Sequence, residues 1–350
     1  MQIAFTGAPD YMDRSVGYGE ASYHIYKTFE RHGIQCVFKN TQYAGMSVND
    51  LIELEPEFHK PNIGLSFIFP HEYSFGPNQY KIGYTPWEST GIFPNWKKPL
   101  NAVDEMWTTS EWCADIFSKH TTKPIFVFKH GVTDDWIPQK RVINPNRPFR
   151  FLHIGEPASR KDAQLVVDVF LELFDGNKNV ELVLKCSGMN TTRIFDKKTG
   201  QSKGSPSAFH HNIKTIESYI TTEQINGLYD LCDVFVYPSW GEGFGLNPLQ
   251  AIAKGIPTIS THDWATYAKY ITLPVDGKWA TSPWPETHPG KMIRPEKQHL
   301  KEQMLKVYNE YQKYSAIAYR NAFLAHRDYN WDKVSKPAIK RLKEIQKSNF

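Results

Sequence analysis

The sequence contains no long hydrophobic run. Nothing in its 350 residues approaches the ~18 consecutive apolar residues of a membrane-spanning helix. The N-terminal stretch MQIAFTGAP has neither the basic nor the apolar segment of a signal peptide, and its pattern is that of a strand and a turn. These absences predict a chain without a transmembrane segment or a secretory leader, in keeping with a cytoplasmic location.

Cysteine pairs and metal-binding spacings are also scarce. The chain has four widely spaced cysteines, Cys36, Cys113, Cys186 and Cys232. They form no CxxC or Cys/His motif, so we interpret them as reduced, buried thiols, as in a cytoplasmic protein. The only adjacent histidines, His210 and His211, lie in a polar stretch. We therefore expect no metal site.

The charge is only mildly basic. A net charge of +4 permits a polyanionic partner without demanding one. Much of the excess lies in residues 336–347 (KPAIKRLKEIQK), which leaves two interpretations open, a solvated helix face or a nucleic-acid patch. The content of hydrophobic residues (40%) and charged residues (22%) is ordinary for a globular protein, and the length favours two or three domains.

Short apolar runs alternate with helical patterns in the first half of the chain. A helix over 110–119 begins after Ser110, a suitable N-cap, and another over 20–32 ends at Gly33. The predicted strands are 2–6, 35–39, 63–69, 80–85, 103–109 and 124–128. Strands interleaved with helices indicate βαβ units and a parallel sheet.

The same alternation restarts after a polar, proline-bearing stretch, residues 133–148, that has the composition of a linker. The predicted strands are 149–154, 180–186, 233–237 and 257–260. The predicted helices are 161–174, 222–230, 247–254, 296–325 and 331–347. Residues 188–210, rich in Gly, Ser, Lys and Thr, are interpreted as a loop.

This pattern predicts an α/β fold with two Rossmann-like, doubly wound parallel-sheet domains. We place them at residues 1–140 and 149–330, with a linker at 141–148 and a C-terminal helix, 331–350, that packs back toward the first domain. Ligands of open parallel sheets bind outside the carboxyl ends of the strands. We therefore expect the site in a cleft between the two domains.

The stretch 239–255 (SWGEGFGLNPLQAIAKG) combines a glycine loop, residues 241–245 (GEGFG), with a helix start. The loop has three glycines in five positions, and Glu242 lies among them. Asn247 suits the N-cap and Pro248 the first helical position. The free N–H groups of a helix N-terminus favour an anion or a hydroxyl-rich ligand, and Glu242 adds an acceptor among these donors. Donors and an acceptor together suit sugar hydroxyls. A tight strand-to-helix turn with a surface glutamate is the alternative.

A second loop, residues 153–164 (HIGEPASRKDAQ), places two cations near a helix start. With a cap near Ser159, Arg160 and Lys161 fall in the first helical turn, where the helix dipole favours negative charge. A diphosphate would satisfy both cations and the helix end. Two solvated side chains are the alternative, because salt screens their repulsion.

Two loops of the first half carry weaker signals. Gly17 and Gly19 precede a helix and fit either a phosphate-approach loop or a tight turn. His71 and Glu72 follow a predicted strand and form a titratable pair at its carboxyl end. A structural role for His71 is the alternative.

These segments resemble the retaining, nucleotide-sugar-dependent glycosyltransferases of the GT-B fold (glycosyltransferase group 1). The specific part is PSWGEGFGLNPLQAIAKGIPTIST, in which Glu242 matches the first glutamate of the family's pair and Gln250 occupies the position of the second. FLHIGEPASRKDAQLVVDVF is similar to the donor-phosphate segment. FKHGVTDDWIP, GYTPWEST, MWTTSEWCADIF and SVGYGEASYHIYKTFERHG extend the likeness along nearly the whole chain.

The resemblance implies a role for each matched residue. Glu242 would bind donor-sugar hydroxyls, Arg160 and Lys161 the diphosphate, and His71 the transferred sugar. The implied donor-binding residues are Gly17, Gly19, Gly243, Phe244, Gly245, Leu246 and Gln250. Among them, Phe244 and Gly245 would offer backbone N–H groups, the two N-terminal glycines would approach the diphosphate, and Gln250 would lie at the ribose.

Two positions depart from the family pattern. Gln250 replaces a carboxylate and can still hydrogen-bond a hydroxyl, but it carries no charge. Glu156 stands where many members have an arginine after Gly155. The implied reaction is transfer of a sugar from a UDP- or GDP-linked donor to a hydroxyl acceptor (a glycan, a small molecule or modified nucleic acid), without a metal or other cofactor.

Three alternatives stay open. The two departures are compatible with a non-catalytic nucleotide-sugar or glycan-binding protein. The same fold also serves nucleotide-sugar epimerases and phosphorylases. Finally, the basic C-terminus and the lysine-bearing residues 197–203 permit a modified DNA base as the acceptor.

Overall fold

The computed structural model describes residues 1–7, 17–38, 59–155, 159–186, 210–218 and 220–350. These residues form two units, residues 1–131 with 328–350 and residues 132–327. Glu156, residues 188–209 of the predicted loop and the lysines at 197–203 lie outside the described residues. None of the described helices is both long enough and apolar enough to cross a membrane.

Six parallel strands form the sheet of the first unit, in the order β2-β1-β3-β4-β5-β6. They are β1 (Gln2–Thr6), β2 (Gln35–Phe38), β3 (Ile63–Phe67), β4 (Tyr80–Tyr84), β5 (Glu105–Thr108) and β6 (Ile125–Val127). β3 and β5 are buried throughout, as expected of strands covered on both faces. The predicted strands of the first half and their parallel pairing are confirmed.

Four helices belong to this unit: α1 (Gly17–Arg31), α2 (Lys97–Ala102), α3 (Glu111–Ser118) and, from the C-terminus, α9 (Trp331–Asn349). Ser110 caps α3 as predicted, since its side chain accepts a hydrogen bond from the Cys113 amide. Arg31 of α1 pairs with Asp332 of α9 at 2.9 Å, and Arg341 pairs with the buried Glu105 at 3.0 Å. These contacts hold the C-terminal helix on the first sheet.

A second six-stranded parallel sheet, in the order β12-β11-β10-β7-β8-β9, forms the other unit. Its strands are β7 (Phe149–Ile154), β8 (Val180–Lys185), β9 (Ile213–Ile216), β10 (Val234–Tyr237), β11 (Thr258–Thr261) and β12 (Leu273–Val275). Its helices are α4 (Ala163–Phe174), α5 (Thr222–Asp230), α6 (Leu246–Ala253), α7 (Lys297–Asn309) and α8 (Tyr311–Tyr329). An antiparallel hairpin, β13 (Gly277–Thr281) and β14 (Lys291–Pro295), completes the unit.

Residues 141–148, predicted to be a linker, lie within the second unit. The Arg141 guanidinium donates to the Cys232 carbonyl at 2.9 Å, and its own carbonyl accepts from the Ser315 hydroxyl at 2.7 Å. Arg147 forms an ion pair with Asp233 at 2.6 Å. Polar composition made this stretch resemble a linker, whereas its arginines tie it to the sheet.

Three predicted helix starts were wrong. α1 begins at Gly17, so Gly17 and Gly19 lie in its first turn and not in a loop before it. α4 begins at Ala163 with Asp162 as its N-cap, and the cap predicted near Ser159 does not form. α6 begins at Leu246 with Gly245 as its N-cap, two residues before the predicted N-cap Asn247.

Candidate functional site

Glu242 lies at the carboxyl edge of the second sheet, between β10 and α6. Its Oε1 atom accepts three hydrogen bonds, from Arg160 Nη1 at 2.5 Å, the Tyr237 hydroxyl at 2.8 Å and Ser239 Oγ at 2.9 Å. The residue is only 7% exposed. Glu242 is therefore a fixed, buried carboxylate, which excludes the surface glutamate considered as the alternative.

Tyr237 is the last residue of β10, and its hydroxyl donates a hydrogen bond to this carboxylate. Burial, followed by the negative charge of Glu242, raises the pKa of Tyr237 well above its ordinary value. The phenol consequently stays protonated at physiological pH and keeps donating. Sequence reasoning missed both Tyr237 and Ser239, although both directly precede the glycine loop.

The loop before α4 is joined to the glycine loop by a set of hydrogen bonds. The Trp240 amide donates to the Arg160 carbonyl at 2.8 Å, and its indole N–H donates to Asp162 Oδ2 at 2.8 Å. Arg160 Nη1 also donates to the Gly241 carbonyl at 3.0 Å. Backbone and side chains from both loops thus fix the position of the Arg160–Glu242 pair.

Arg160 and Lys161 do not lie in the first turn of α4, as predicted, but in a short 3-10 turn, Ser159–Lys161, before it. The guanidinium of Arg160 is committed to Glu242. Lys161 differs, because its ammonium has no hydrogen-bond or ionic partner within the described part of the chain. Of the two neighbouring cations, Arg160 and Lys161, it is therefore Lys161 that is available to an anion.

Gly155 permits the close approach of Lys161 to the end of β7. A Cβ atom added at Gly155 would lie 3.0 Å from Lys161 Cδ and 3.2 Å from His153 Nε2. Burial, together with the smaller effect of the nearby Lys161 charge, lowers the pKa of His153 from 6.5 to about 4. The imidazole is neutral at pH 7, and its Nδ1 lies 2.9 Å from the Val236 carbonyl, so we assign the proton to Nδ1.

Gly245 has a steric reason to be glycine. Its φ is +80°, and a Cβ atom there would lie 2.5 Å from the Tyr267 hydroxyl and 2.7 Å from Trp264 Cζ3. The Tyr267 hydroxyl donates to the Gly245 carbonyl at 2.5 Å. Phe244 is buried, with its ring 5.7 Å from that of Tyr267. The aromatic side chains thus account for glycine at position 245, and the implied contact of its backbone N–H with a ligand stays a prediction.

The first turns of α6 carry Leu246, Asn247 and Gln250. Asn247 Nδ2 donates to the Ile154 carbonyl at 3.2 Å, which links the start of α6 to the end of β7. Gln250 is 7% exposed, and its side-chain amide makes no hydrogen bond to the residues that the structure describes. A nearly buried amide without a protein partner fits the implied contact with a ribose hydroxyl.

The first unit holds the remaining predicted residues, His71, Gly17 and Gly19. His71 lies in a 3-10 turn, Pro70–Glu72, after β3, and its Nδ1 accepts a hydrogen bond from Trp96 Nε1 at 2.9 Å. That bond leaves the proton of the neutral ring on Nε2. His71 is exposed, so this N–H is accessible to a ligand.

A family model described as Family 4 Glycosyltransferase in conflict systems matches residues 109–335. The chain belongs to this family. The match covers more than half of the chain and includes both loops that meet at Glu242. It confirms the resemblance to group 1 glycosyltransferases that the sequence motifs predicted.

A curated relative supports the same assignment over a shorter stretch. The serotype-specific mannosyltransferase WbdA of Escherichia coli is 27% identical over 121 residues, which is 30% of this chain and 15% of WbdA. The chain therefore matches only a small part of that relative's length.

Two solved structures are similar over the whole chain. Sucrose-phosphate synthase from Thermosynechococcus elongatus has a TM-score of 0.68 at 12% identity. The match covers 100% of this chain and 100% of that protein. HepE from Anabaena, in complex with UDP and glucose, has a TM-score of 0.65 at 14% identity, covering 98% of this chain and 99% of HepE. At such identities the likeness shows the fold, and it confirms the predicted GT-B fold.

We expect Gly245→Ala to destabilise the protein by about 3 kcal/mol, because it adds an overpacked methyl group to a left-handed backbone position. Gly176 is a matched control, with φ +76° and nothing within 4 Å of its added Cβ. Gly176→Ala should cost only about 1 kcal/mol. Urea unfolding measures both values, and equal losses would contradict the role assigned to Trp264 and Tyr267.

Proposed function

We propose that this chain is a retaining glycosyltransferase that moves a sugar from a nucleotide-diphosphate sugar, UDP- or GDP-linked, to a hydroxyl acceptor. The observation that carries the proposal is the buried Glu242 carboxylate, which three donors hold in the loop before α6. One of these donors, Arg160, is adjacent in the chain to Lys161, whose ammonium is available to an anion. An acceptor for sugar hydroxyls and a cation for a diphosphate thus lie on the two loops that Arg160 joins.

The charges on these loops favour departure of the diphosphate. Glu242 offsets the charge of Arg160, so Lys161 and the N-terminus of α6 supply the remaining positive potential. As the bond between sugar and diphosphate breaks, negative charge develops on the leaving oxygen and positive charge on the sugar. Groups already fixed in place stabilise such charge without reorganising.

Sugar hydroxyls would bind the fixed acceptor. Oε1 of Glu242 is occupied by its three donors, whereas Oε2 accepts no hydrogen bond from the described residues. A carboxylate oxygen held in this way suits a sugar hydroxyl. The same loop and the first residue of α6 would offer their backbone N–H groups to the sugar, from Gly243, Phe244, Gly245 and Leu246. In the first unit, His71 would donate from Nε2 to the transferred sugar.

The relatives bear on the donor. HepE is described in complex with UDP and glucose, and WbdA is described as a mannosyltransferase. Both names support a hexose as the transferred group, and HepE supports UDP as the carrier. Retention of anomeric configuration rests on the likeness to group 1 enzymes.

We also propose that the reaction needs no metal and takes place in the cytoplasm. The diphosphate charge would be met by Lys161 and a helix end rather than by a cation. The four cysteines are free thiols, three of them buried, which suits a reducing compartment.

The donor is identified by thermal shift with UDP-, GDP-, ADP- and CMP-linked sugars, in buffer containing a chelator. A ligand that binds the folded state raises the melting temperature, because it stabilises by RT ln(1 + [L]/Kd). We expect one nucleotide to do so in the wild type and in Lys178→Ala, which removes an exposed lysine of the same unit. Lys161→Ala should lose the shift.

Turnover then separates the proposal from its rivals. Transfer to an acceptor with a product of the donor's anomeric configuration, read by NMR, is the expected result. Binding without turnover would contradict the enzyme and leave a nucleotide-sugar-binding protein. Free sugar formed without acceptor would favour an epimerase-type reaction, and dependence on phosphate would favour a phosphorylase.

A modified DNA base is a second candidate acceptor, because α9 carries a regular row of lysines. Five exposed lysines are spaced by three and four residues: Lys333, Lys336, Lys340, Lys343 and Lys347. All of them except Lys333 line a groove of about 420 Å³ that also includes His32, Ile339 and Glu344. Such a row suits a nucleic-acid backbone, whose phosphates dominate affinity.

A gel shift with duplex DNA tests this acceptor. We expect DNA affinity to fall steeply as the salt concentration rises. Replacing Lys336, Lys343 and Lys347 by Gln should reduce the slope of log affinity against log salt concentration by about three. The same changes should leave the nucleotide-sugar shift intact. Absence of binding at low salt would exclude DNA and favour a glycan or small-molecule acceptor.

A further inference from the structure

Lys185, the last residue of β8, is a buried lysine without a partner. The residue is 3% exposed, and its ammonium makes no hydrogen bond and no ion pair with the described residues. Burial lowers the pKa of Lys185. A buried charge that lacks a counter-charge is costly, so such groups are rare unless they are completed by an opposite charge.

The strand pairing places Lys185 at the carboxyl edge of the second sheet, next to the loop that precedes α4. Lys185 is in register with Ile154, the last residue of β7, and its carbonyl accepts from the Gly155 amide at 3.0 Å. Gly155 is the residue over which Lys161 lies. Two lysines therefore flank the same strand end, one before α4 and one on the adjacent strand.

The side chain of Lys185 lies on the sheet face opposite that of Leu184, which belongs to the main core of this unit. Its in-register neighbour, Ile154, is joined through its carbonyl to Asn247 in the first turn of α6. The same helix carries Gln250, whose amide also lacks a partner among the described residues. Two nearly buried polar groups near the start of α6, the Lys185 ammonium and the Gln250 amide, therefore have no partner among the described residues.

We propose that Lys185 is a further donor-binding residue, whose ammonium pairs with a phosphate of the nucleotide sugar. This inference rests on the proposed glycosyltransferase function and extends its donor site beyond the residues that the family motif indicates. A phosphate is the group of the donor that fits, because an unpaired buried ammonium requires a negative charge rather than a neutral base or hydroxyl.

Isothermal titration tests the proposal with the nucleoside, its monophosphate and its diphosphate, using whichever of UDP or GDP stabilises the wild type. Lys185→Met removes the charge and keeps the length and apolar stem. We expect it to weaken the diphosphate roughly 10- to 100-fold, as for loss of a hydrogen bond to a charged group, and to leave the nucleoside unchanged. Lys178→Met, at an exposed site of the same unit, should change neither.

A second measurement separates this role from a structural one. Without ligand, Lys185→Met should raise the melting temperature by about 2–4 °C, because it removes an uncompensated buried amine. A structural lysine would show the opposite sign. Lys185→Arg keeps a cation and should retain part of the diphosphate affinity.

Three results would overturn the inference. Unchanged diphosphate affinity in Lys185→Met would show that the ammonium does not contact phosphate. An equal loss for nucleoside and diphosphate would assign Lys185 to the base or ribose. If the wild type binds neither UDP nor GDP, the proposed donor site falls, and this inference falls with it.

Discussion

The ion pair between Arg160 and Glu242 is the constraint on which the candidate site depends. Glu242 is buried within the glycine loop, and a carboxylate in that position is costly unless it is paired and hydrogen-bonded. Arg160 supplies the charge, while Tyr237 and Ser239 supply the remaining donors. Because Arg160 precedes α4 and Glu242 precedes α6, their pairing fixes two helix starts relative to one sheet edge.

The pair also determines which charges remain for a ligand. With Arg160 and Glu242 offsetting each other, the cations without a protein partner near this edge are Lys161 and Lys185, within the part of the chain that the structure describes. A site with two uncompensated lysines and a helix N-terminus favours a polyphosphate over a neutral sugar. The same carboxylate retains an oxygen for hydroxyl groups. A nucleotide-diphosphate sugar combines both requirements in one molecule.

The fold could be predicted from the sequence because the same alternation of strands and helices occurs in both halves of the chain. Strands such as β1 and β7 are short apolar runs between turn residues, and their alternation with helices predicts a parallel sheet wherever it occurs. The glycine loop with Glu242 was likewise visible, since it combines a rare cluster of glycines with a helix start. The short strands β9 and β12 and the hairpin β13–β14 were missed. Pro274 interrupts β12, and β13 is largely exposed.

The partners of the site residues could not be predicted, because they are set by tertiary contacts. Arg160 and Lys161 are adjacent in sequence and received the same role, yet one is neutralised by a residue 82 positions away and the other is not. Gly245 carries no sequence sign that Trp264 and Tyr267 would lie against its Cα. Lys185 looks like an ordinary polar strand end until its burial is known.

A double-mutant cycle on the Arg160–Glu242 pair tests this account most directly. The free energy of unfolding is measured by urea titration for Arg160→Met, Glu242→Gln and the double variant. We predict a large loss for Arg160→Met, of about 3 kcal/mol or more, because a buried carboxylate is left without its counter-charge. The double variant should recover much of that loss, giving a coupling energy of about 2 kcal/mol. Effects that add to within about 0.5 kcal/mol would show that the two side chains act independently and would contradict the account.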